Sequence, residues 1–454
     1  MNNCSKNDKW TALAEQAPAD VVASFKKLHD FFDPDAIINW MAGLYDPDTG
    51  AFYYSNSARD NEPFRPDVES TRQATQLLVS SGAMKSRNCL PHDVKKKIID
   101  FINDMQSPDD GYFYHRQWPQ GKNNLNTDRY GRDISSALGL INDLKIDTDG
   151  DGIEEDQYPL YCAPNGTKCA RHAGTDECCH FENAAPDLPK KETGGMHPDY
   201  SSREAFAAWL EVYNGSVKED SGNAHKLSAI SGEIRNKGYA DIVLDQLDRA
   251  QREVYEEQIA AGIEPTGLWQ RHVNYRAVWG LLKFLSHYNN PKTGRKIDIK
   301  YIPHIIKTCI KVIALPPDGQ YFANDMFNQW RGIQSLMVNV RRHYGDEGIR
   351  LINEIVRENL APLIDNSLEK IRPFKREDGS FSYRSDGHSL AKIYATPISL
   401  GETEGDMNAV ALICQMYEAV YNCAGYPMVP LFTEEDGERF ADMILNKAPI
   451  KKKS

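Results

Sequence analysis

The sequence predicts an all-α protein built from six helical hairpins, and three observations carry that prediction. Short Gly-containing turns recur six times, helix-patterned segments flank them, and period-two alternation is scarce. The turns are Gly50-Ala51-Phe52-Tyr53, Gly111-Tyr112-Phe113, Gly195-Met196-His197, Gly267-Leu268-Trp269, Gly319-Gln320-Tyr321-Phe322 and Gly379-Ser380-Phe381. Their glycines lie 61, 84, 72, 52 and 60 residues apart. Recurrence at such a period marks stacked supersecondary units that share a core. The third turn lacks an aromatic and is the weakest copy.

Residues 18 to 45 hold two helical patterns, the second running from Ala36 to Leu44 into the first turn. Pro66-Asp67-Val68-Glu69 opens the next helix, since a proline and acidic residues ahead of an apolar run mark a helix start. His92 to Met105 is amphipathic with a lysine-rich face, and after Gly111 a helix rich in small residues opens at Arg132-Asp133-Ile134. Lysine-rich helices belong outside and weakly charged ones inside. Ile234 to Ala261 and Tyr275 to Leu282 flank Gly267; Tyr301 to Ala314 and Phe327 to His343 flank Gly319; Glu347 to Ile371 and Glu404 to Tyr421 flank Gly379. The expected organisation is an N-terminal helical segment, 1–33, a body, 34–425, with an insert at 144–198, and a C-terminal helix with a basic tail, 426–454. No outer helix is visible in the insert. Lys447 to Lys453 reads as a solvated terminus.

The 454 residues are 41% hydrophobic and 26% charged, which suits a globular chain with a large core. A net charge of -12 argues against nucleic-acid binding, because phosphate neutralisation needs clustered cations. No run of 18 apolar residues and no signal-like N-terminus is visible, so the expected location is the cytoplasm, with no membrane partner. Cys309, Cys414 and Cys423 sit in apolar helical patterns and read as small buried hydrophobes.

The insert carries two competing metal patterns. Asp147, Asp149 and Asp151, in the acidic 147–156 loop, alternate as hard calcium ligands do, but Tyr158 stands where an EF-hand needs glutamate, and a solvated acidic turn is the weightier reading. Cys162, Cys169, Cys178, Cys179 and His180 are zinc ligand types, yet their spacing matches no compact knuckle. Zinc therefore ranks behind a plain loop with unpaired thiols.

Six repeats of outer helix, Gly-aromatic turn and inner helix resemble the (α/α)6 toroid shared by six-hairpin glycosidases, several polysaccharide lyases, terpenoid cyclases and protein prenyltransferases. The resemblance spans roughly 34–425 and implies that the inner-helix N-termini surround one cavity. The residues at those positions are Glu69, Ser70 and Arg72; Arg132 and Asp133; His197, Tyr200, Arg203 and Glu204; His272, Asn274, Tyr275 and Arg276; Asn328, Gln329 and Trp330; and Glu402, Glu404, Asp406 and Asn408. For each carboxylate the competing role is a helix cap. The rim aromatics Tyr53, Tyr54, Tyr112, Tyr114, Trp118, Trp269, Tyr321, Trp330 and Tyr383 would either stack on sugar rings or lock neighbouring repeats together.

Glycoside hydrolysis needs one carboxylic acid to protonate the leaving oxygen and a second carboxylate to activate water or attack carbon. Asp133, Glu404 and Asp406 are the preferred trio, with Glu69 in reserve and no cofactor required. Arg72, Arg132, His272, Asn274, Tyr275 and Arg276 would position a sugar, including an acidic one, with Tyr200, Trp269, Gln329, Trp330 and Asn408 completing the wall. A polysaccharide lyase is the rival, with Tyr275 or His272 as base and Asn or Arg neutralising a uronate. A glycan- or peptide-binding toroid without activity is the third reading. The acidic motif of a terpenoid cyclase reduces to Asp109-Asp110 in a turn, and Cys309, Cys414 and Cys423 give no prenyltransferase-like zinc set. No phosphate-binding loop or nucleophile elbow is present.

Overall fold

The computed structural model describes residues 6–115, 117, 127–179, 198–214, 218, 222–291, 294–316, 319–393 and 396–453. Among these the chain is predominantly helical, and the strands are two short antiparallel pairs, 145–146 with 155–156 and 392–393 with 396–397. No helix among the described residues is long and apolar enough to cross a membrane. The chain divides into two compact units: a first of residues 33–197, 374–411 and 432–454, and a second of 1–32, 198–373 and 412–431.

In the first unit Asp33 caps the helix Pro34–Gly43 by accepting the Ala36 N–H at 3.0 Å, with proline at the first helical position where its missing N–H costs nothing. Asp67 caps Val68–Ser80 through the Ser70 N–H at 2.9 Å. That helix packs on Thr127–Asp143. The latter begins five residues before the expected start at Arg132, so Arg132 and Asp133 lie beyond its first turn and cannot act as caps. His92–Asn103 carries its lysine-rich face as expected, except that Lys95 turns inward, buried, to pair with Glu154 of the acidic loop. The insert contributes no α-helix among its described residues, 144–179.

In the second unit Tyr275–Tyr288 and Ile302–Ala314 both pack on Ala323–Arg357, and Ala19–Phe31 packs on Leu360–Ile371. The helix expected over 234–261 is split, Ser231–Asn236 ending at Gly238, with φ 78°, before Ala240–Ala260 begins. The segment expected to hold 327–343 and 347–371 is divided differently. Ala323–Arg357 runs through a break at Gly345, with φ 61° and ψ −152°, and Leu360–Ile371 follows. Cys309, Cys414 and Cys423 are buried, as expected.

Five of the six repeat glycines fall within the described residues, and all five are left-handed: φ is 74° at Gly50, 73° at Gly111, 70° at Gly267, 62° at Gly319 and 82° at Gly379. Three also permit close approach to a helix. A Cβ on Gly50 would lie 2.4 Å from Lys97 Cβ, one on Gly267 2.7 Å from the Tyr301 carbonyl, and one on Gly379 2.3 Å from Ala36 Cβ. Gly195-Met196-His197 lies outside the described residues.

The basic tail corrects the expectation of a solvated terminus. Lys447 Nζ donates to the carbonyls of Ala42, Gly43 and Tyr45, and Lys452 Nζ to those of Ala58, Asn61 and Phe64. Burial pulls the Lys447 ammonium down to about 8. Three carbonyls converging on one half-buried ammonium make a clamp that composition alone could not show.

Candidate functional site

In the first unit, the caps of two helices bring acidic residues into one polar layer. Asp67, at the start of 68–80, receives Arg129 at 2.7 Å and His115 Nε2 at 3.1 Å. His115 Nδ1 accepts the Gln117 N–H at 3.1 Å, so its proton sits on Nε2 and points at Asp67. Burial would raise Asp67, but the Arg129 guanidinium and His115 hold it well below the usual carboxylate range.

Asp133 belongs to the same buried knot. It is fully buried, and both of its oxygens face Arg129, at 2.8 and 3.1 Å. Burial raises its carboxyl while Arg129 opposes the rise. Its partner is also fully buried and spans Asp133 and Asp67. This corrects its expected catalytic role: Asp133 neutralises a structural arginine.

Glu404 is likewise spoken for. Oε1 accepts the hydroxyls of Ser55 at 2.8 Å, Ser57 at 2.5 Å and Ser389 at 3.0 Å, and Oε2 accepts the Ser57 N–H at 2.8 Å. Four donors make Glu404 an anchor that ties segments 55–57, 389 and 404 together.

Asp406 differs from both. It caps the helix Met407–Ala424 through Oδ1, which accepts the Ala409 N–H at 2.8 Å, while Oδ2 completes no hydrogen bond. Burial pushes its carboxyl up to about 8, with the Glu404 charge adding to the rise and the Ala409 N–H and the neighbouring Tyr54 phenol opposing it. Tyr54 lies beside Asp406 and senses Arg132 and Tyr383, although its own hydroxyl also completes no hydrogen bond of standard geometry. The raised carboxyl of Asp406 therefore favours its protonated form at neutral pH.

Glu69 stands next to this group. Arg132 binds its Oε1, and Gln73 Nε2 bridges Glu69 Oε1 at 3.3 Å and Asn408 Oδ1 at 2.8 Å. Arg132 keeps 24% of its side chain exposed, whereas Glu69, like Asp133, is buried. Arg72 points elsewhere: its Nε lies 3.0 Å from a Cβ built on Gly139, and the charge it feels is Asp143.

A cleft of about 400 Å³ lies beside the network, with Asp48, Arg65, Lys97, Asp100 and His115 among its lining residues. His115 is the one network residue on its wall. The carboxylates named above do not line it.

The second unit holds the remaining expected residues, and there the capping and packing roles prevail. Asn274 caps Tyr275–Tyr288 by accepting the Ala277 N–H at 2.9 Å. Tyr275 donates to the Leu315 carbonyl at 3.4 Å, and burial followed by Asp325 pushes its phenol up to about 12, which disfavours it as a base. Gln329 is buried against Tyr275. Trp269 is fully buried at 5.1 Å from Phe284, and Trp330 is fully buried with its indole N–H on Ser367 Oγ at 3.0 Å. Both are core residues, correcting their expected place on a sugar-binding wall. Tyr200 stacks on Phe206 at 5.5 Å, while His272 and Arg276 are exposed. Asp325, which the sequence reading missed, accepts the Phe322 N–H at 3.1 Å, and burial lifts it to about 6 against Arg276.

Of the rim aromatics, Tyr53, Tyr54 and Tyr112 are buried between elements, Tyr114, Tyr321 and Tyr383 are half-buried, and Trp118 lies outside the described residues. Locking of repeats is the role most of them play.

In the insert, the ligand atoms of Cys162, Cys169, His172 and Cys179 all lie within 4.8 Å of one another, a group that could hold a metal ion. His172 replaces Cys178 of the expected set; Cys178 is exposed. His180 lies outside the described residues. The carboxylates of Asp147, Asp149 and Asp151 also gather within 4.8 Å, but they are wholly or partly exposed, and Asp147 spends its oxygens on the Gly150 and Gly152 N–H groups. That pattern equally describes the solvated acidic turn.

Family models, curated proteins and solved structures offer no match to this chain.

Proposed function

We propose that this chain is a carbohydrate-active enzyme, a glycoside hydrolase on an (α/α)6 toroid, with Asp406 as the general acid and Glu69 as the second carboxylate. One observation carries the reading: a buried carboxyl whose proton is held tightly lies near a second acid that is paired with an arginine. Burial pushes Asp406 up to about 8, while Arg132 ion-pairs with Glu69. Divergent carboxyl environments of this kind are how one site supplies an acid and a base at the same pH. Arg132 and Gln73 position Glu69; Glu404, beside Asp406, helps keep the acid protonated. Asp406 is fully buried, and the backbone of the half-buried Tyr383 faces it.

The toroid is supported by the repeat turns. Gly50 abuts the outer helix that follows it, Gly267 abuts the start of the next outer helix, and Gly379, from the last repeat, abuts Ala36 of the first. A last-to-first contact is what a closed ring of hairpins requires.

The test is a panel of neutral and uronate-containing oligosaccharides, followed both for new reducing ends and for the ultraviolet absorbance of an unsaturated uronate. Hydrolysis yields reducing ends alone. Growth of the unsaturated product would establish a lyase instead, and binding without turnover of any substrate would leave a glycan-binding toroid.

A further inference from the structure

We infer that the insert carries a structural zinc site made by Cys162, Cys169, His172 and Cys179. In sequence these four read Cys-x6-Cys-x2-His-x6-Cys, and local structure explains why they meet. After Cys162 the chain turns back on itself, with the Ala163 N–H on the Thr167 carbonyl at 2.8 Å. Cys169 then precedes a single 3-10 turn, Ala170–His172, which brings His172 round beside it. Cys179 returns so that its sulfur accepts the Cys162 N–H at 3.4 Å.

The spacing of the ligand atoms is that of a tetrahedron. Zinc about 2.3 Å from sulfur and about 2.0 Å from nitrogen requires sulfur pairs about 3.8 Å apart and sulfur–nitrogen pairs about 3.5 Å apart. Cys169 Sγ lies 3.8 Å from Cys162 Sγ and 3.7 Å from Cys179 Sγ. His172 Nδ1 lies 3.6, 3.3 and 3.7 Å from the sulfurs of Cys162, Cys169 and Cys179. Three soft ligands and one imidazole make a four-coordinate structural site, with the exposed Cys178 thiol beside Cys162 outside the set.

The segment also needs such a staple. Its described residues form no α-helix, and beyond the cysteines Pro159 and Ala163 are its only buried apolar residues between 158 and 179. What the metal braces is the second repeat turn: Gln106 binds both the Tyr161 N–H at 3.0 Å and the Tyr161 carbonyl at 2.9 Å, and also the Gly111 carbonyl at 3.0 Å. Cys162 is the next residue, so zinc fixes the insert against the strand end that leads to His115. This inference does not depend on the hydrolase reading.

The experiment measures metal in the full chain, purified without a metal-affinity tag, and replaces it with cobalt(II). The expected result is one zinc per chain and, with cobalt, thiolate charge-transfer bands with the intense visible bands of tetrahedral coordination. Cys169→Ser and His172→Ala should each lose stoichiometric zinc, while Cys178→Ser keeps it. Circular dichroism of the helical body checks folding, and where a variant fails to fold the cobalt spectrum of the unaltered chain decides. Absence of zinc, a disulfide-bonded insert by mass, an octahedral cobalt spectrum, or loss of zinc in Cys178→Ser equal to that in Cys169→Ser would each overturn the site.

Discussion

At the residue scale, three acids that look alike in sequence do three different jobs, and the difference is in their partners. Asp133 faces a buried guanidinium, Glu404 faces four donors, and Asp406 keeps one oxygen without a hydrogen bond. Replacing Asp133 by Asn leaves Arg129 under-neutralised, and breaking a buried pair of this kind costs about 3 kcal/mol. Urea unfolding of Asp133→Asn should show that loss, with turnover of the folded fraction retained; a stable but inactive variant would return Asp133 to the catalytic set. For Asp406 the sign of the pH effect follows from its raised carboxyl, 3.8 ordinarily and about 8 here. The folded chain binds this proton more tightly than the unfolded one, so the stabilisation is complete below pH 4 and is lost as pH rises towards 8. Asp406→Asn, which cannot ionise, should flatten the decline in melting temperature between those pH values; an unchanged decline would assign it to other groups. The acids themselves were legible in the sequence, since Gly401 to Ala409 crowds three of them at a helix start. Their partners were not, because Arg129, Ser55, Ser57 and Ser389 come from distant segments with no patterning of their own.

At the element scale the glycine turns were legible because a left-handed backbone leaves glycine as the residue of choice, and the same requirement recurs in each repeat. Helix boundaries were less so. Asn126-Thr127-Asp128 offers cap and first-turn residue types that were passed over, so the 127–143 helix was placed five residues late and its acid was taken for a cap. The aromatics were legible as repeat markers but not as core, since a tryptophan two residues after a turn can point to either side of it. A paired substitution separates the two demands on these glycines. Gly262→Ala meets only the left-handed penalty, about 1 kcal/mol, because no described atom lies within 4 Å of the new Cβ. Gly267→Ala adds a clash with the Tyr301 carbonyl, 2.7 Å away, and should cost at least about twice as much by chemical denaturation. Equal losses would show that the contact with the next helix relaxes freely.

At the scale of the whole molecule, a helical repeat supplies the frame and its caps supply the chemistry. The helix starts that gather acids are also where N–H groups demand them, so a capping role and the proposed catalytic one draw on the same residues. The metal-ligating insert was read as a loop because His172 lies between the cysteines and not beside the Cys178-Cys179 pair. The measurement that bears most directly on the central claim is the rate of reducing-end release on an active oligosaccharide, taken across pH for the unaltered chain, Asp406→Asn and Glu69→Gln. The account expects activity to fall above about pH 8 as Asp406 loses its proton, and each variant to be slower by roughly 10²–10⁴-fold while remaining folded. Full turnover in either folded variant would contradict it.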